Sequence, residues 1–122
     1  MATITVALSE APYGSQRAYT ALRLLLVALH EEHKANLFLV EDGVFLAKAG
    51  QRPPEMPVGG QGMPNCEALL RAALDEGLVA KACQVCCRER GVGQEEVVKG
   101  VGIGSMLDLL NWILEGDKAV FL

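Results

Sequence analysis

Three of the four cysteines in this 122-residue chain fall within five residues, Cys83-Gln84-Val85-Cys86-Cys87. They follow the apolar run Leu78–Ala82 and precede the basic turn Arg88-Glu89-Arg90-Gly91. The pattern places them where a strand ends and a helix begins. A thiol at such a junction can sit in a crevice, with helix N–H groups and a nearby cation favouring its thiolate. Cys83, directly off the strand, reads as a nucleophile or sulfur acceptor supported by Arg88 or Lys81. Cys86 completes a Cys-x-x-Cys and can resolve a persulfide or sulfenate on Cys83 by closing a disulfide. Cys87 is expected to pack beneath the helix, and Cys66, on an apolar helical stripe, belongs to the core.

Other residues with chemical potential are weaker. Glu41 and Asp42 bring two carboxylates to another strand end, and Asp42 either supports the thiol site or caps the next helix. His30 and His33 are three residues apart at the end of the first helix, the opposite edge of a parallel sheet from Cys83. That placement favours an electrostatic role at the helix C-terminus over a two-Cys, two-His metal site. Gly100–Ser105 lacks the Gly-Lys-Ser/Thr ending of a phosphate loop, although N–H groups at Ser105 suit a small anion. No metal and no cofactor is expected.

The elements that must position these groups alternate along the chain. Ile4, Val6 and Leu8 mark a first strand, and Ser9–Gly14 a turn-rich loop. A helix is predicted over Ser15–Glu32 with Ala18, Leu22, Leu25 and Leu29 on one face. Ala35–Val40 reads as a buried parallel strand, followed by a short helix over Val44–Ala49. Gly50–Pro64 holds four prolines and four glycines and admits no regular element; it reads as a lid or a subunit contact. Asn65 caps a helix that stops at Gly77, and Leu78–Ala82 is the third strand. A helical turn over Gln94–Val98 and a short strand at Val101–Ile103 come next. Ser105–Asp108 is a capping-box pattern opening a helix with Met106, Leu109, Leu110, Ile113 and Leu114 on one stripe. Gly116 stops it before a last strand, Ala119–Leu122. The pattern predicts one α/β domain over 1–122, three-layer α/β/α, with a mostly parallel sheet of about five strands.

Composition narrows the function classes. Net charge is −4 and aromatic residues make up 5% of the chain, with no lysine/arginine block. Nucleic-acid binding is not expected. No apolar run approaches a membrane span, and the opening residues lack the features of a signal peptide. A cytoplasmic location follows as the expectation, with the cysteines reduced. The hydrophobic content of 51% points to apolar surface shared between subunits.

In order along the chain, four segments carry a resemblance: Pro12–Ser15 after the first strand, Leu37–Lys48 around Asp42-Gly43-Val44, Gly77–Val92 around the cysteines, and Ile103–Trp112. Together they resemble the DsrE/DsrF-like family of small sulfur-relay proteins, in its YchN-like branch, across nearly the whole chain. The resemblance implies a three-layer fold assembling into homotrimers or homohexamers. In sulfur-relay members, a cysteine ending the third strand accepts sulfane sulfur from a donor protein as a persulfide and passes it to an acceptor protein. Cys83 occupies that place. Cys86 and Cys87 stand where the relay pattern has small residues, which admits a resolving thiol. The leading expectation is therefore a persulfide carrier of sulfurtransferase type. The alternatives are a homo-oligomeric module binding a small anion or metal, and a redox switch through Cys83 and Cys86.

Overall fold

A computed structural model describes residues 1–53 and 65–122. Five strands form one parallel sheet in the order β4-β3-β2-β1-β5. These are β1 (Thr3–Leu8), β2 (Lys34–Leu39), β3 (Val79–Cys83), β4 (Val101–Gly104) and β5 (Lys118–Phe121). Helices α1 (Arg17–His30), α2 (Cys66–Asp75), α3 (Gln84–Glu89) and α4 (Met106–Glu115) connect them. The steps from β1 to β2 to β3 run in one direction across the sheet, so right-handed crossovers put α1 and α2 on one face. They pack against each other there. The return from β4 to β5 spans the sheet the other way and places α4 on the opposite face. The expected three-layer α/β/α architecture is observed.

Central strands in such a sheet are covered on both sides, and their sequences show it. Val6, Ala7 and Leu8 of β1, and Leu37, Phe38 and Leu39 of β2, are all buried. Ala18, Ala21, Leu22 and Leu25 bring the apolar stripe of α1 into the same core. Phe38 meets Trp112 of α4 edge-on, with ring centroids 5.9 Å apart and planes at 87°. That geometry adds about 1 kcal/mol beyond the area buried. Thr5, the one buried polar residue among the described residues, receives an amide N–H from Asn36 at 3.3 Å.

Two expectations are corrected. The short helix predicted over Val44–Ala49 is a 3-10 helix that begins earlier, Glu41–Ala47. The backbone turns tightly there because Gly43 sits against the end of β1. Val40 N–H donates to Leu8 O at 3.0 Å, Gly43 N–H donates to Val40 O at 2.8 Å, and a Cβ on residue 43 would strike the Leu8 carbonyl. The stripe predicted for α4 is only partly internal. Leu109 is buried and Ile113 half-buried, whereas Met106, Leu110 and Leu114 are exposed, as is the neighbouring Leu107. A lone helix on this face buries one narrow stripe, and α4 is apolar over a wider arc than that. Phe121 and Val79 are exposed as well.

The expected Gly50–Pro64 loop lies almost wholly outside the described residues, and with it the lid or subunit-contact reading. Its first residues are tied down. The Gly50 and Gln51 N–H groups donate to Glu67 Oε1 at 2.7 and 2.8 Å, and Arg52 N–H donates to the Tyr13 hydroxyl at 2.6 Å. Among the described residues no helix is long and apolar enough to cross a membrane.

Candidate thiol site

The carboxyl edge of a parallel sheet collects the loops that follow its strands. Cys83 is the last residue of β3, paired in register with Gly104 of β4 and flanked on the other side by β2. It is also the N-cap of α3, and its side chain makes no capping hydrogen bond. At 4% exposure Cys83 is buried, and Cys86, one turn on, is the more accessible of the two. The thiols of Cys83 and Cys86 are close neighbours, near enough to influence each other's ionisation. Cys87 and Cys66 are buried, as their spacing predicted.

The surroundings of Cys86 come from two elements distant in sequence. Glu41 has a left-handed backbone (φ 51°), uncommon for a residue with a side chain, and its N–H lies near the Cys86 sulfur. Arg90 Nε donates to Asp42 Oδ1 at 2.8 Å, and Arg90 Nη1 donates to the Cys86 carbonyl at 3.4 Å. Burial first, then the contact with Cys83, push the Cys86 thiol above its ordinary value. The Glu41 N–H and the Arg90 guanidinium pull the other way. Burial, and then the nearby Cys83 and Cys86, also raise Cys87.

The structure brings together Cys83, Cys86 and Asp42. It does not bring in the cations expected there. Arg88 is exposed and makes no ion pair among the described residues. Lys81 leans over the Trp112 ring at 5.2 Å and pairs with Asp108 at 3.4 Å. The cation at the site is Arg90, which sequence reasoning missed. Its signal was the spacing Cys86–Arg90, four residues on a helix and hence one face. Asp42 caps nothing, because Val40 is the N-cap of the 3-10 helix.

The other sequence candidates lie elsewhere. His30 Nε2 is 2.9 Å from Glu76 Oε2, and His33 Nδ1 accepts the Ala2 N–H at 3.0 Å, both at the amino edge. A cavity of about 660 Å³ opens there, lined by Asn36, His33, Glu76, Trp112 and Glu115 among others. No cluster of three or more His, Cys, Asp or Glu side chains suited to a metal occurs among the described residues. The Ser105 N–H, a possible anion donor by sequence, is taken by Asp108 Oδ2 at 2.8 Å in the capping box of α4.

Comparison with known proteins agrees with this geometry. The chain is 47% identical to an uncharacterised protein of Methanopyrus kandleri, over 97% of this chain and 92% of that one. It is 42% identical to an uncharacterised protein of Methanocaldococcus jannaschii, over 95% and 96% of the two chains. It is also 30% identical to YchN of Escherichia coli, over 98% of both. The crystal structure of the E. coli YchN protein superposes with a TM-score of 0.87, covering all of both chains. A protein of unknown function from Methanobacterium thermoautotrophicum shares the fold at 11% identity and a TM-score of 0.80. The model of the DsrE/DsrF-like family matches residues 2–122, and the chain belongs to that family.

Proposed function

We propose that this protein is a cytoplasmic sulfur carrier in which Cys83 accepts sulfane sulfur and Cys86 acts as its resolving thiol. The observation that carries the reading is the placement of Cys83 at the carboxyl end of β3, with Cys86 one helical turn on. In loading, the Cys83 thiolate attacks the outer sulfur of a donor persulfide. The donor leaves as a thiolate and Cys83 holds the sulfur as Cys-S-SH. In delivery, an acceptor thiolate attacks that outer sulfur and Cys83 is released as a thiolate. In discharge, Cys86 as thiolate attacks the Cys83 sulfur, a Cys83–Cys86 disulfide forms, and hydrosulfide leaves. A dithiol reductant must then restore the pair.

The reading includes a homotrimer or homohexamer. The exposed apolar residues of α4 and β5, with Leu114 at 72% and Phe121 at 65% exposure, support subunit contact through that face. The donor and acceptor are other proteins bearing a reactive thiol. A second reading, a dithiol–disulfide switch, is favoured by the proximity of the two thiols alone. It uses the same pair and no sulfane sulfur.

Intact mass after exposure of reduced protein to a persulfide donor, with peptide mapping, separates these. One added sulfur on Cys83 is the expected result. Loss of two hydrogens linking Cys83 to Cys86, with no sulfur ever gained, favours the switch. Sulfur uptake by Cys83→Ala at the wild-type level overturns the assignment of Cys83 as sulfur acceptor.

A further inference from the structure

Helix α3 is six residues long, too short to hold itself in one orientation, so tertiary ties must set its rotation about its axis. Two such ties are present. Cys87 is buried against the core, and Arg90 reaches 48 residues back along the chain to Asp42. Asp42 belongs to an anchored segment, because Gly43 beside it is wedged under the Leu8 carbonyl. Cys86 and Arg90 are four residues apart and share one face of α3, whereas Cys87 is turned about 100° away. Arg90 also donates to the Cys86 carbonyl.

We propose that the Arg90–Asp42 ion pair is a positioning device that fixes the rotation of α3 and so selects Cys86, not Cys87, as the thiol that closes on Cys83. Arg90 touches neither sulfur donor nor acceptor in this role; it acts through Cys86. The pair locks α3 to the turn carrying Glu41, whose N–H lies near the Cys86 sulfur. The groups around Cys86 are Cys83 and Cys87, the Glu41 N–H and the Arg90–Asp42 pair, with Glu89 3.8 Å from Arg90 and the exposed Glu41 carboxylate further out. The inference rests on the Cys83–Cys86 pairing of the proposed function. Its test is independent of sulfane-sulfur uptake.

The experiment equilibrates the full chain with glutathione and glutathione disulfide, then maps the protein disulfides. Closing one protein disulfide consumes one glutathione disulfide and releases two glutathiones, which take up both protons and both electrons. Wild type is expected to form Cys83–Cys86 alone. Arg90→Ala and Asp42→Asn should each lower the closure constant about tenfold and admit a Cys83–Cys87 species. Arg90→Lys, which can replace the charge but not both contacts, should recover part of the loss. The double variant should be no worse than Arg90→Ala, because both remove one interaction. Alkylation of Cys86 against pH separates position from charge. Arg90→Ala should move the midpoint up, and Asp42→Asn, which keeps the guanidinium, should not. Thermal unfolding of each variant shows whether it folds, and the isosteric Asp42→Asn at an exposed carboxylate carries the test if Arg90→Ala does not. The proposal is overturned if wild type forms no Cys83–Cys86 disulfide, or if Asp42→Asn and Arg90→Ala close that disulfide as wild type does. Failure to take up sulfane sulfur with the closure pattern intact would instead count against the relay.

Discussion

The two edges of the sheet differ in what their side chains leave free. At the amino edge a cavity of about 660 Å³ is bordered by polar groups, and two of its ionisable residues, His33 and Glu76, are engaged. His30 pairs with Glu76, and His33 accepts the Ala2 N–H. At the carboxyl edge Cys83 is buried, yet two thiols, the N–H of the left-handed Glu41 and a clamped arginine converge. Room alone does not make a site. Nucleophilic groups held against one another by elements far apart in sequence do, and among the described residues the carboxyl edge has them.

This contrast is breakable by experiment, starting where the effect is largest. Cys83→Ala should abolish sulfane-sulfur uptake outright, read by intact mass, whereas removing the amino-edge histidine with His30→Ala should leave uptake unchanged. Gly43→Ala should follow in severity. Its Cβ has no space beside the Leu8 carbonyl, so the turn that carries Glu41 and Asp42 must shift. A destabilisation of about 2–3 kcal/mol is expected in urea unfolding, with weakened Cys83–Cys86 closure. Differences among thiols come next. In native protein near neutral pH, iodoacetamide should reach the half-buried Cys86 before the buried Cys87 and Cys66. At the amino edge, His30→Ala should cost about 0.5 kcal/mol or less, because its ion pair is well exposed.

The smallest expected effect concerns pH. Asp108 accepts the Ser105 N–H and lies near Lys81, which together hold its carboxyl below the usual range. A depressed carboxylate contributes stability above its unfolded pKa, about 3.9, and that stability is lost as pH falls through the folded value. Asp108→Asn should therefore flatten the acid limb of the Tm–pH curve. An unchanged limb would mean that the capping box of α4 carries no charge-dependent stability.

The order of elements was readable because each has a local cause. Alternating or continuous apolar runs marked all five strands, Asn65 and Ser105 cap their helices as their types predict, and Cys83 stands at the strand end where its flanking pattern put it. The Glu41–Ala47 segment was misread as a later helix because its geometry depends on contact with the end of β1, a partner 35 residues away. The arginine of the site was misassigned for a related reason. Arg88 and Arg90 are equivalent as local sequence, and which one meets Asp42 depends on the rotation of a helix too short to orient itself. The exposed part of α4 was likewise hidden, since its apolar residues look alike whether they face a sheet or the outside.

What the sequence determined by itself, then, is everything set by neighbours within a turn or a strand: the alternation of elements, the caps, and a thiol at the end of β3. Tertiary structure alone decided the convergence. Strand order β4-β3-β2-β1-β5 set β2 beside β3, and so brought the turn after Leu39 against α3. Only that adjacency joins Glu41 and Asp42 to Cys86 and Arg90, because hydrogen bonds and ion pairs act over a few ångströms and no spacing along the chain encodes the approach of the two segments.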